Sequence, residues 1–309
     1  MSISGVPVCA QEPVSADDVL RIRTDLVTVN AIVRDAKGRR VTGLTRGDFS
    51  VSDNGRAVQL EYFAAGGDRV ALTFALDASG SVRDIITRQR ETALALFSRF
   101  GRGSRAAVLH FRERPEIITP LTAEPDEVRK AFDFPALRNR RTAIFDAALA
   151  AVRLYTSGDT DRTERRIVIL ISDGLDTVSS VNAATVIGEA QKHNVSFYVI
   201  HFPLFAPSDG HLAPRPPAKG FRELAEKTGG RYFMLGDVRS ALDPRAEYDL
   251  GPIYRAIEED LQSQYVLGYY PGEAARDGRY HQIEVKVISR DARKYRVQLL
   301  REGYQSGGH

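Results

Sequence analysis

Three short segments of this 309-residue chain carry side chains that could do chemistry together. Asp77-Ala78-Ser79-Gly80-Ser81 offers one carboxylate and two hydroxyls. Thr142 adds a third hydroxyl, and Ser172-Asp173-Gly174 a second carboxylate. All are hard oxygen donors, a set that suits Mg²⁺ or Mn²⁺ rather than Zn²⁺ or Cu²⁺. Two ionised aspartates neutralise a divalent ion without oversaturating it. Neutral hydroxyls leave it electrophilic, so an open octahedral position can take a carboxylate from a partner. Other chemistries are poorly served. The single cysteine, Cys9, excludes an internal disulfide framework and a thiolate zinc cage, and the six histidines are scattered. Ser79 lacks the G-x-S-x-G elbow of a nucleophile, and no histidine has a place beside it. Ser79 also stands where an aspartyl phosphatase would want a second carboxylate. No phosphate loop occurs. A role other than catalysis is expected, with His110 and His201 either as core residues or as supports behind the residues that line the crevice.

The elements that must position these groups can be read from hydrophobic texture. Val70–Leu76, Ala106–Phe111, Ile167–Ile171 and Val195–Phe202 are nearly unbroken apolar runs, the mark of strands buried on both faces. Helical spacing covers 85–100, 143–155, 183–193 and 221–228, the last stopped by Gly229-Gly230. Alternating strands and helices predict a doubly wound, mostly parallel α/β sheet, whose ligands bind at the carboxyl ends of strands. Asp77 and Asp173 follow two of those ends. Outside this unit the texture is that of exposed β-structure: Leu26–Val33, Phe49–Ser52, the Asn54-Gly55 hairpin signal and Val58–Phe63 before it, then Tyr265–Tyr270, Gln282–Val287 and Tyr295–Leu299 after it. The expected organisation is a tail at 1–21, an N-terminal β segment at 22–66, the α/β domain at 67–264, and a C-terminal β segment at 265–304. The two β segments are expected to form one small sheet. Phe202–Gly220, with five prolines, reads as an irregular loop on the ligand edge and as one wall of a binding surface, His211 and Arg215 included.

Asp77-x-Ser79-x-Ser81, then Thr142 at a helix start with Asp146 behind it, then Ser172-Asp173-Gly174, resembles the metal-ion-dependent adhesion site of von Willebrand factor type A domains over about Val70–Leu235. Asp25-Leu26-Val27, Asp48-Phe49, Tyr265-x-Leu267-Gly268-Tyr269 and Arg301-Glu302-Gly303-Tyr304 extend the resemblance to an exported, acidobacterial-type group of related proteins. The resemblance implies that Asp77, Ser79 and Ser81 form the first metal loop, Thr142 the second and Asp173 the third. It also implies that Asp176 holds a coordinating water and that Asp146 caps or hydrogen-bonds the second loop. One departure is the run Arg138-Asn139-Arg140-Arg141, where such sites usually place glycine before the threonine. Arg140 and Arg141 either weaken metal binding by repulsion, clamp an incoming acidic ligand, or point to solvent. The function so implied is a metal-dependent, adhesion-type module that captures an exposed Asp or Glu of a protein partner. The alternative is a structural or assembly subunit in which arginines have replaced the ion.

Charge and composition narrow the partners. Of 43 basic residues only seven are lysine, but the arginines are dispersed and matched by 40 acids. Nucleic-acid binding wants them clustered with aromatics between, so a solvated surface is the reading. No run approaches the about 18 apolar residues of a membrane span. Met1–Gln11 places Val8 and Ala10 as small residues before Gln11, like the tail of a secretory signal without its basic start. An exported location is therefore expected.

Overall fold

The computed structural model describes residues 26–66, 69–78, 86–87, 89–100, 103–133, 141–156, 164–243, 246–272, 277–289 and 294–306. In chain order the described elements begin with β1 (Val27–Arg34), β2 (Phe49–Asp53), β3 (Arg56–Val58) and β4 (Tyr62–Ala65). The α/β unit follows: β5 (Val70–Asp77), α1 (Arg90–Ser98), β6 (Arg105–Phe111), β7 (Pro115–Thr122), α2 (Pro125–Lys130), α3 (Ile144–Arg153), β8 (Arg165–Ser172), α4 (Ala183–Lys192) and β9 (Val195–His201). It continues through β10 (Phe205–Ser208), β11 (His211–Pro214), α5 (Phe221–Glu226), β12 (Tyr232–Met234), α6 (Val238–Leu242) and α7 (Gly251–Gln262). The chain then runs through β13 (Gln264–Tyr269), β14 (Tyr280–Val287), β15 (Arg296–Leu299) and β16 (Gly303–Gln305).

The central sheet has the order β12-β9-β8-β5-β6-β7, parallel except for β7, so the doubly wound α/β fold is the one observed. Every residue of β5 and β9 is buried. Their side chains alternate between two cores because successive residues of a strand face opposite ways. Leu72, Phe74 and Leu76 join Leu94, Phe97, Ile253 and Ile257 of α1 and α7 on one face. Ala71 and Ala75 join α3, α4 and α5 on the other. α3 buries four alanines there, Ala147, Ala148 and Ala151 fully and Ala150 partly. With so little side chain between them, helix and sheet approach closely, which brings the start of α3 down onto the sheet edge.

The chain ends form two sheets rather than one. β15-β1-β13-β4 and β16-β14-β2-β3 are separate antiparallel sheets that share a core of Val29, Ala31, Val51, Tyr265, Leu267, Ile283 and Val285. Two sheets are the physical answer to a single four-stranded one, which would leave an apolar face wet. A second correction concerns Phe202–Gly220. Its prolines hide a hairpin, β10–β11, turned by Asp209 (φ 50°) and Gly210 (φ 80°). β7 and α2 also escape the hydrophobic pattern, since β7 is a bulged edge strand with Ile117 and Ile118 exposed.

Candidate functional site

Asp77 ends β5 at the carboxyl edge, wholly buried. Its neighbours are set by register: Phe111 of β6 lies opposite on one side, while Leu76 faces Ile171 of β8 on the other. The next residue of β8, Ser172, is therefore beside Asp77, and its Oγ donates to Asp77 Oδ2 at 2.6 Å. A carboxylate this deep needs such donors, because burial without them is costly. The same hydroxyl accepts the Gly174 N–H at 3.2 Å.

Thr142, also buried, is held between two strand ends by its backbone. The adjoining Ala143 N–H donates to the carbonyl of Arg112, one residue past β6, at 2.6 Å. Its own N–H donates to Thr177 Oγ1 at 2.8 Å, and its carbonyl accepts the Thr177 N–H at 2.8 Å. The start of α3 is then tied to the loop after β8. Asp176 Oδ1 accepts the Ile144 N–H at 2.7 Å, and Ser179 Oγ accepts that of Phe145 at 3.0 Å while donating to Asp176. A carboxylate over the open N–H groups of a helix start is favoured by hydrogen bonding and by the helix dipole. In return, the Asp146 carboxylate accepts the Ser180 N–H and hydroxyl at 3.0 Å and the Val181 N–H at 3.1 Å. Asp176 thus caps α3, and Asp146 holds the loop after β8.

Asp173 is 7% exposed, its Oδ1 accepting the Leu175 N–H at 2.9 Å. Burial pushes its carboxyl up, and the Leu175 N–H and the nearby Arg215 charge pull it back. Its carbonyl accepts from His201 Nε2 at 2.9 Å. Since a carbonyl only accepts, that nitrogen carries the proton and Nδ1 takes the Tyr232 hydroxyl. Burial holds the His201 ring below the ordinary histidine value. Gly174 (φ 80°) has no room for a side chain: a Cβ would lie 2.8 Å from Pro217 Cβ and 2.9 Å from His201 Nε2. Ala218 N–H donates to its carbonyl at 2.8 Å, so the segment after β11 is packed onto the Asp173 turn.

Asp77, Thr142 and Asp173 are thus brought to one sheet edge, in the order the sequence suggests. Ser79, Ser81 and Arg140 lie outside the described residues. Arg141 is exposed and pairs with Glu113 at 3.8 Å, a surface contact of little energetic weight. His211 sits exposed at the hairpin turn, and Arg215 is exposed at its base. Ser172, His201, Thr177 and Ser179 are the residues whose positioning roles sequence reasoning did not assign. For Ser172 the signal was present: a hydroxyl closing an apolar strand, next to a carboxylate. Among the described residues, no three His, Cys, Asp or Glu side chains gather as a metal cage. An ion here would rest on two carboxylates supplemented by hydroxyls, which fits a hard divalent cation.

A doubly wound α/β domain with oxygen donors collected at its carboxyl edge defines the class. The family model of the von Willebrand factor type A domain matches residues 71–245, and the chain belongs to that family. No curated protein matches it. Among solved structures, it is similar to a von Willebrand factor type A protein from Catenulispora acidiphila, at 14% identity over 84% of this chain and 74% of that one, with a TM-score of 0.48. It is similar to an aerotolerance-related membrane protein from Bacteroides fragilis, at 18% identity over 62% and 98%, with a TM-score of 0.45. It is also similar to proximal thread matrix protein 1 from the mussel byssus, with a zinc-occupied MIDAS motif, at 14% identity over 64% and 50%, with a TM-score of 0.49. Domains of this family mediate protein–protein interaction. No described helix is long and apolar enough to cross a membrane.

Proposed function

We propose that the chain is a metal-dependent protein-binding module of adhesion type, without catalytic activity. Asp77, Thr142 and Asp173, with Ser79 and Ser81, would hold Mg²⁺ or Mn²⁺. An exposed Asp or Glu of a partner protein would complete the coordination. When bound, the cation supplies an electrophilic centre that seeks an oxyanion. The chain's own residues do the rest. Asp77 and Asp173 provide compensating charge, Ser172 orients the first carboxylate, and His201 fixes the turn that carries the second. The observation that supports this reading is a wholly buried carboxylate presented beside a second one and a buried threonine at the carboxyl edge of a parallel sheet.

The test is a pull-down from the native cell envelope, where an exported protein would meet its partner, with and without EDTA. Asp77→Ala and Asp173→Ala serve as controls whose fold is checked by circular dichroism. Chelation and either substitution are expected to lower capture at least tenfold with the fold retained. Capture that ignores both would overturn the proposal. A second reading, a metal-independent assembly scaffold, is favoured by the Arg215 charge acting on Asp173. Calorimetric titration with Mg²⁺ separates the two: saturable heat supports the first reading, and none supports the second.

A further inference from the structure

Away from the sheet edge, the structure contains a buried cluster of titratable groups that the adhesion reading does not use. His281, near the start of β14, is 5% exposed. Its Nδ1 faces Asp53 Oδ1 at 2.7 Å, and its Nε2 faces Asp277 Oδ1 at 3.1 Å. Asp53 closes β2, and its second oxygen accepts the Tyr269 hydroxyl of β13 at 2.9 Å and the Tyr304 hydroxyl of β16 at 2.8 Å. One carboxylate thus joins strands of both flanking sheets. Asp277 belongs to the segment leading into β14 and is held down by His281 and by the Arg279 N–H at 2.9 Å. Among the described residues, the other charges around the cluster include Arg56, opposite Asp53 on β3, Arg279, acting on Asp277, and Arg301, whose guanidinium lies 6.0 Å from the Tyr304 ring centre.

An ionised carboxylate can only accept. With a carboxylate on each side, both ring nitrogens must donate, which only the imidazolium does. A neutral ring keeps one N–H and sets a lone pair against the other carboxylate. The tyrosines cannot relieve this. Burial and the Asp53 charge push both phenols well up, so they remain donors already spent on Asp53.

We propose that His281 is a pH-operated latch: protonated, it pins the segment entering β14, through Asp277, to the Asp53 hub that joins the two sheets, and deprotonated it releases that segment. The energetics agree in sign. Burial pulls the imidazole down, but its hydrogen bonds to Asp53 and Asp277 and their charges outweigh this and raise it above the ordinary 6.5. A group raised on folding contributes stability that is complete below its unfolded value and lost as pH rises through the folded one. His110, His193 and His201 are shifted the other way by burial, so the latch is read as a difference between variants rather than from one melting curve.

The experiment compares the full chain with Asp277→Asn and His281→Gln. Asp277 is an exposed partner, and asparagine can donate to a neutral ring, so this variant removes the demand for a proton with little disturbance. In an NMR titration of labelled imidazoles, His281 is expected to titrate above 6.5 in the wild type and about one unit or more lower in Asp277→Asn. Hydrogen exchange of residues 277–283, corrected for intrinsic rates, is expected to accelerate several-fold between pH 6 and pH 8.5 in the wild type only. A His281 that titrates at or below the ordinary value overturns the proposal. So does an exchange ratio unchanged in both variants.

Discussion

At the scale of single residues, the site depends on how a buried charge is kept comfortable. Asp77 is buried, and Ser172 is positioned by sheet register to donate to it at 2.6 Å. Ser172→Ala is expected to cost about 1–3 kcal/mol of stability, the penalty for removing a donor from a buried acceptor. Chemical denaturation measures it. If a cation shares Asp77, saturating Mg²⁺ should recover part of the loss, which an unaltered midpoint would contradict. Much of this was legible in the sequence because the aspartates end apolar runs, and the end of a parallel strand has a known destination. The roles of Asp176 and Asp146 were less so. Each has to choose among solvent, a water-holding position and a helix cap, and that choice depends on where the loop after β8 crosses α3. A three-dimensional crossing leaves no trace in residue spacing.

At the scale of elements, the hairpin β10–β11 leads into a segment that is seated on the Asp173 turn. The seat is made by Pro217 against Gly174, by Ala218 N–H on the Gly174 carbonyl, and by Arg215 N–H on the Leu204 carbonyl at 2.7 Å. Replacing residues 205–214 by a short Gly-Ser turn leaves that seat in place while removing the exposed wall. Partner affinity is expected to fall about tenfold or more with Mg²⁺ affinity unchanged, as measured by calorimetry. Unchanged partner affinity would remove the hairpin from the binding surface. Proline content misled the sequence reading here. Prolines exclude a central strand, yet an isolated two-stranded ribbon needs few ladder bonds and tolerates them. Similarly, β7 carries Pro120 and exposed isoleucines, the composition of a guarded edge rather than of a core strand.

At the scale of the whole molecule, the flanking sheets are fastened to the end of the central sheet away from the site. Arg40 pairs with buried Asp260 of α7 at 2.6 Å and donates to its carbonyl and to Ser263. Asn194, just before β9, donates to the Thr28 carbonyl, and Arg301 donates to that of Lys192 at the end of α4. Arg40→Ala leaves Asp260, whose carboxyl burial already pushes up, with Arg231 alone at 3.5 Å, and it is expected to destabilise by about 1–3 kcal/mol at neutral pH. A carboxyl raised on folding binds its proton more readily in the native state, so the loss should shrink toward pH 5, a trend that thermal melts across pH would show. This fastening involves the two extremes of the chain. β1 lies between β13 and β15, pairing Val27 with Tyr269 and Arg34 with Arg296. On a ribosome adding ~5–20 residues per second, β1 emerges roughly ten to fifty seconds before either neighbour exists. The central domain therefore has time to fold while an apolar strand with two unpaired edges waits for its neighbours.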